Sequence, residues 1–295
     1  MKISLIGNCQ IESIRSCLSV MLPSSEVFLH HSWNIVNDYQ NINDLRALID
    51  DSDLVLAHRF YNSTTLDFDD LTSKSNVVEF PALNFSSFHP DCIYLVDHDT
   101  KKIVRSSIGD YNSGLIAYSY SRGLTQEKCR ASFREEVYNF LGYFSNWEAS
   151  LAALNAEFDR CGFPGNQCVQ KWLSRKPFVH SINHPRLFAI YDLVSLALSK
   201  AKVAHRQVED IEEFVADPLL NYAGWPIYNE IAEYYGTRGS YVFKGNVTTD
   251  NSQYVFDLDE FINSSYELYA NAGVRQFSSQ IFETWDKIAL NELIK

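Results

Sequence analysis

Short apolar runs punctuate the first hundred positions. Ile3–Ile6, Val27–Leu29, Leu54–Ala57, Asn76–Phe80 and Ile93–Val96 each have the length and the β-branched or aromatic content of a strand. Between the first two, Ile11, Ile14, Leu18 and Met21 recur at i, i+3, i+7 and i+10, and Pro23 stops the pattern. That spacing predicts one amphipathic helix lying on a sheet. Asp44–Asp51 predicts a second, shorter helix before the third strand. The order β-α-β-α-β then predicts a parallel sheet with right-handed crossovers.

After about residue 110 the apolar positions repeat at helical spacing over long windows. Gln126–Phe144, Trp147–Arg160, Leu187–Ser199, Val208–Ala216, Ile227–Tyr235 and Gln276–Leu293 are the predicted helices, and the polar, aperiodic stretch Thr248–Gln253 is a predicted loop. No internal repeat or low-complexity tract is present. The expected class is α/β: a parallel-sheet core over residues 1–110 and a predominantly helical part over 111–295 packed on it.

A chain of 295 residues with 46% apolar content can bury a full core. Its 25 Lys and Arg against 37 Asp and Glu leave a net charge of −12, with both signs interspersed. This balance argues against a nucleic acid partner. An anionic ligand needs a local basic spot or helix N-termini, because the average field opposes it. Ile3–Ile6 is far too short for a secretory apolar region, and no segment has the uninterrupted apolar length of a membrane span, so a cytoplasmic protein without a transmembrane segment is expected. The six cysteines show no C-x-x-C pair and no framework spacing, as reduced thiols would.

The stretch Ile3-Ser4-Leu5-Ile6-Gly7-Asn8-Cys9-Gln10 carries the most chemistry: a buried strand ends at a glycine and a helix begins within a few residues. Asn8 is a good N-cap, which puts Cys9 in the first helical turn beside unpaired backbone N–H groups and the positive end of the dipole. These groups favour a thiolate, with a pKa expected below the free value of about 8.5. They also suit a phosphate or a developing oxyanion. A space-filling, inert Cys9 is the alternative, and Cys17, within the same predicted helix, is expected to be core.

Two histidines stand directly before proline, in Phe88-His89-Pro90-Asp91 and Asn183-His184-Pro185-Arg186. Proline restricts each to extended backbone, at the loop positions where catalytic side chains concentrate. Either is a candidate base or a turn residue that satisfies local groups. Asp110-Tyr111-Asn112-Ser113-Gly114 offers a hydroxyl or carboxylate, with a helix cap by Asn112 or Ser113 as the plainer reading. Arg59, just after the third strand, can meet a phosphate or sit solvated. His30-His31 and Asp97-His98-Asp99 lack the spacing of a helical zinc motif, so no metal is expected.

Taken in order, Gly7-Asn8-Cys9-Gln10, Phe88-His89-Pro90-Asp91, Asp110-Tyr111-Asn112-Ser113-Gly114 and Asn183-His184-Pro185 resemble the WcbI-like family of capsular polysaccharide biosynthesis O-acetyltransferases, over roughly residues 3 to 200. The resemblance implies an α/β core with helical additions, coenzyme A or acetyl-CoA as cosubstrate, and acetyl transfer to a hydroxyl of a sugar or polysaccharide precursor. The layout is also similar to SGNH hydrolases, which implies SGNH- or flavodoxin-like layering. It departs from them in carrying Cys9 at the nucleophile position, in lacking a G-x-N-D block, and in placing Ser181 three residues before His184, so Asn183 or Asp91 would have to orient a histidine.

The candidate set is therefore Cys9, His89 and His184 for catalysis, with Gly7, Asn8, Gln10, Arg59, Ser113 and Asn183 for holding the cosubstrate. Some of Arg59, Lys101, Lys102, Arg105, Arg122 and Arg186 are expected to face its phosphates. Two other functions use the same residues: a thioesterase or carbohydrate esterase passing the acyl group to water, and a non-catalytic module that binds coenzyme A or a glycan.

Overall fold

A computed structural model describes residues 1–35, 41–59, 68–247 and 254–294, apart from the side chains of residues 70 and 291. The described chain forms two compact units: 1–84 with 152–179 and 183–219, and 85–151 with 180–182 and 220–295. The predicted loop Thr248–Gln253 lies outside the described residues.

The first unit is built on a parallel sheet of four strands, β1 (Lys2–Gly7), β2 (Glu26–His31), β3 (Leu54–Ala57) and β4 (Val77–Glu79), in the order β2-β1-β3-β4. The inner strands β1 and β3 read as nearly unbroken apolar runs because both of their faces are covered. The edge strand β2 alternates instead. Helix α1 (Gln10–Met21) buries Ile11, Ile14, Cys17, Leu18 and Met21 on one face, as the periodicity predicts. Helix α2 (Ile42–Asp50) starts two residues earlier than expected because the Asn41 side chain accepts the Asn43 N–H and caps it. A short α3 (Phe68–Thr72) precedes β4.

The fifth predicted strand does not join this sheet. It forms β5 (Cys92–Asp97) in the second unit, antiparallel to β6 (Ile103–Val104), β7 (Tyr111–Ser113) and β10 (Phe277–Ser278). The cause is a tight reversal after Asp97. Its carboxylate accepts the N–H groups of Asp99 and Thr100, which lowers its pKa, and Lys101 takes a left-handed backbone (φ 58°) that turns the chain back into β6. The Asp97-His98-Asp99 cluster is thus a hairpin turn.

The second half of the chain is mainly helical, with corrections to individual elements. The predicted helix 126–144 is broken into α5 (Gln126–Ala131), α6 (Glu135–Phe140) and a 3₁₀ turn at Tyr143–Ser145. Arg134 is fully extended between the first two, and Phe133 beside it packs against Tyr228 with ring centroids 5.6 Å apart. Gly142 enters the left-handed region before the turn (φ 74°), a conformation that favours glycine. Helix α4 (Gly114–Ser121), α7 (Trp147–Cys161) and α8 (Gly165–Leu173) are present, of which only α7 is predicted. Helix α9 (Leu187–Lys200) follows its pattern and packs on α1.

The predicted helix 208–216 reduces to a 3₁₀ turn at Ile211–Glu213, since Tyr191 Oη bonds both the N–H and the carbonyl of Val208 and holds that segment out of a helix. Helix α10 (Asn229–Tyr234) is shorter than its prediction. Two-residue strands β8 (Phe243–Lys244) and β9 (Val255–Phe256) pair with each other and lead into α11 (Leu258–Asn271), which packs on α4 and α5. The predicted helix 276–293 begins as β10, continues as α12 (Gln280–Lys287), and restarts as α13 (Leu290–Leu293) after Ala289 turns left-handed (φ 56°). Among the described residues no helix is long and apolar enough to cross a membrane.

The core of the second unit gathers on Asp91. Its fully buried carboxylate accepts from Tyr228 Oη (2.7 Å), Tyr143 Oη (2.9 Å), the Leu115 N–H (2.9 Å) and Ser113 Oγ. Ser113 Oγ in turn accepts the Ile116 N–H and caps α4. Burial nevertheless pushes the Asp91 pKa up to about 6, against the pull of these donors. Folding therefore favours the protonated acid: the stabilisation from this group is complete below pH 4 and disappears as pH rises through about 6. Asp91→Asn imitates the protonated form, so its stability relative to the native protein is expected to improve by an amount on the order of 3 kcal/mol between pH 4 and pH 7, measured by urea unfolding. A difference that does not vary with pH contradicts this.

Candidate functional site

In the order β2-β1-β3-β4 the chain reverses direction across the sheet between β1 and β3, and the carboxyl ends of strands at such a reversal are where open α/β sheets take ligands. Gly7 ends β1 at that point and His58 follows the last residue of β3, with its N–H bonded to the Ile6 carbonyl at 2.8 Å. On the other side, Ser32 N–H bonds the Gly7 carbonyl, also at 2.8 Å. The His58 ring lies directly against Gly7: a Cβ there would fall 2.6 Å from His58 Nδ1 and 2.9 Å from Ile11 Cγ2. Only glycine lets the strand end meet both.

The turn that follows is capped as predicted. Asn8 Oδ1 accepts the Gln10 N–H at 3.0 Å, the Asn8 carbonyl accepts the Ile11 N–H at 3.1 Å, and Cys9 already has helical backbone angles. Cys9 is half-buried, whereas Cys17 is fully buried, and all six cysteines are free thiols. The expected thiolate is not there. Desolvation raises the Cys9 pKa to about 11, outweighing the Cys9 and Gln10 N–H groups that pull it down.

Gln10 is wholly buried and uses its amide inside the chain. Nε2 donates to the carbonyls of Leu83 (2.9 Å) and Asn183 (3.0 Å), and Oε1 accepts the Leu83 N–H (3.0 Å). The Asn183-His184 backbone is thereby tied to the first turn of α1. Past His184, Arg186 N–H bonds the Phe178 carbonyl and Arg186 Nε the Pro177 carbonyl, each at 2.8 Å. Asp217 completes the clamp: its carboxylate accepts the Leu187 N–H at the start of α9 (3.1 Å), the Leu219 N–H (3.0 Å) and Ser13 Oγ of α1 (3.3 Å). His184, which is buried, is held between these two anchors.

Gly7, Asn8, Cys9, Gln10, Arg59, Asn183 and His184 all belong to the first unit, and His89 and Ser113 to the second. His89 is buried, and its Nδ1 is 3.3 Å from the Pro226 carbonyl, a contact in which Nδ1 is the donor and the proton sits on that nitrogen. The Asp91 carboxylate accepts from hydroxyl and amide groups, as described above, and Ser181 Oγ donates to Tyr111 Oη at 3.0 Å. Ser113 serves as the cap of α4.

Three of the six candidate cations, Arg59, Arg105 and Arg122, are locally balanced. Arg59 pairs with Glu79 (3.1 Å) and Asp69 (3.0 Å) and lies over the Phe68 ring, while Arg160 bridges Glu79 and Glu157. In the second unit Arg105 pairs with Asp110 and Arg122 with Asp286. A cavity of about 860 Å³ in that unit is lined by Glu135, Glu136, Glu230 and Glu233 beside Phe144 and Tyr234, and its carboxylates oppose an anionic ligand. Residues that pattern alone did not single out are His58, which hides at the end of an apolar strand, and Asp217, whose signal is an Asp-Pro turn shortly after an unstructured stretch.

A family model described as "Polysaccharide biosynthesis enzyme WcbI" matches residues 2–206, a span that includes every motif of the first unit's site together with His89 and Ser113. No curated protein and no solved structure matches the chain.

Two outcomes follow from this geometry. Alkylation of Cys9 by iodoacetamide, followed by peptide mass spectrometry, is expected to accelerate about tenfold per pH unit from 7 to 10, because the rate tracks the thiolate fraction; a plateau near pH 8 contradicts the raised pKa. Gln10→Leu removes the side-chain bonds to the buried N–H and carbonyl of Leu83 and the bond to the Asn183 carbonyl, and is expected to lower the unfolding free energy by about 2 kcal/mol or more. A loss below about 1 kcal/mol by urea titration contradicts the clamp.

Proposed function

Because the chain belongs to the WcbI family of polysaccharide biosynthesis enzymes, we propose that it moves an acetyl group from acetyl-CoA to a hydroxyl of a sugar or polysaccharide precursor. The observation that supports this most is the position of Cys9: a half-buried thiol in the first turn of α1, at the sheet's reversal point, with the Asn183-His184 backbone tied to the same turn through Gln10. The Cys9 N–H is suited to a developing oxyanion on the acyl carbon, the Gln10 N–H being taken by Asn8 Oδ1.

A thiol with a pKa near 11 carries almost no thiolate at neutral pH, so the proton has to leave as the sulfur attacks. In the covalent route His184 takes the proton from Cys9 Sγ, the sulfur bonds the acetyl carbon, and the carbon–sulfur bond to coenzyme A breaks; the proton passes to the departing sulfur. His184 then takes the proton of the sugar hydroxyl, whose oxygen displaces Cys9, and the sulfur recovers a proton. One thioester is exchanged for another, and an ester is formed last. In the direct route His184 deprotonates the sugar hydroxyl, whose oxygen bonds the acetyl carbon of acetyl-CoA itself; the carbon–sulfur bond breaks, the proton passes from His184 to the departing sulfur, and Cys9 only lines the site.

The test is acetyl transfer from radiolabelled acetyl-CoA to a panel of nucleotide sugars and capsular oligosaccharides. His184→Ala is expected to lose ~10²–10⁴-fold in turnover. The covalent route predicts a similar loss in Cys9→Ala and a labelled acetyl group on Cys9 when acceptor is withheld; near-native turnover of Cys9→Ala selects the direct route. Acetate release without acceptor at the rate of transfer would make the protein an esterase. Coenzyme A binding with no turnover across the panel would make it a binding module.

A further inference from the structure

His58 has a property that neither folding nor the roles assigned above account for. It is buried (3% exposed), and among the described residues neither ring nitrogen has a hydrogen-bond partner. Its aromatic neighbour is Phe80, with ring centroids 5.5 Å apart, and its ring faces the Cα of Gly7. Burying polar groups without partners lowers stability, so folding alone gives no reason for a polar ring at this position. A buried polar group left unsatisfied in a native structure calls for an explanation, and sites that bind or react are where stability is commonly given up.

The placement supplies that explanation. Gly7 and His58 flank the reversal between β1 and β3 from the two strands, and Cys9 is two residues beyond Gly7. We infer that His58 is a hydrogen-bonding residue of the loaded site, its imidazole N–H completed by an oxygen of the acyl thioester when the cosubstrate seats on the Gly7–Gln10 turn. This rests on the acyl-transfer reading above. Burial depresses the His58 pKa to about 4, so the ring is neutral at pH 7. A neutral imidazole is a poor base there but a serviceable donor to a carbonyl that gains negative charge, as in isomerases that polarise a carbonyl with an uncharged histidine. His58 would then share the acyl oxygen with the Cys9 N–H, leaving the base role to His184.

Two measurements on the full chain test this. In ¹⁵N-histidine-labelled protein, the His58 imidazole resonances, assigned by their absence in His58→Phe, are expected to shift on addition of acetyl-CoA. His58→Phe is expected to melt at or above the native temperature while kcat for acetyl transfer falls at least tenfold and KM for acetyl-CoA stays within about threefold, with His58→Gln regaining part of the loss through its amide N–H.

Unmoved His58 resonances in native protein saturated with acetyl-CoA, or native kcat in His58→Phe, would overturn the assignment while leaving acyl transfer intact. Should His58→Phe fail to fold, the resonance shift in the native protein decides alone. Absence of any acetyl-CoA binding to the native protein, read as a failure to protect Cys9 from alkylation, would overturn both the acyl-transfer reading and this assignment.

Discussion

The Gln10 carboxamide is the interaction on which the candidate site depends. It is buried on α1, and its three hydrogen bonds join the strand-to-helix turn carrying Cys9 to the backbone at Leu83 and at Asn183. A side chain of this kind satisfies loop backbone that water cannot reach, and in doing so it sets where the Asn183-His184 segment runs. Asp217 repeats the device one helix away by bonding α1 and the start of α9 at once. Two residues far apart in sequence, Cys9 and His184, are thus mounted on one rigid frame.

The same burial sets the electrostatics. A helix N-terminus stabilises a thiolate by a modest amount, typically below about 1 kcal/mol at a surface, whereas desolvation acts on the whole charge. At Cys9 desolvation wins, and the thiol stays protonated. His58 shows the effect in the opposite sense for a base, being held neutral. Both side chains are in their uncharged forms at neutral pH, so reaction at this site requires proton transfer coupled to bond formation rather than a standing ion pair.

The first unit was largely legible in the residue pattern. Continuous apolar runs at β1 and β3, the i, i+3, i+7 spacing of α1 and the Asn8 cap all have local causes, and the structure shows them where the pattern puts them. The reversal that takes β5 out of the parallel sheet was not legible, because an apolar run of six residues carries no sign of its partner. The breaks at Arg134, Val208 and Ala289 were invisible for a related reason: each comes from a tertiary contact or a left-handed residue that helical periodicity does not encode. Helix α11 did carry a readable signal, the reciprocal Asp257 and Glu260 capping box. In the site, the glycine-to-cysteine turn was readable, while the Gln10 bonds and the orphan nitrogens of His58 depend on atoms brought together only by folding.

Whether the carboxyl end of β1 seats an acyl thioester against Cys9 is decided by a crystal structure of the protein soaked with acetyl-CoA. The expected density places the acetyl carbonyl within hydrogen-bonding distance of the Cys9 N–H and the thioester beside Cys9 Sγ; a thioester lying on another surface, with the Gly7–Gln10 turn unoccupied, would refute that seating.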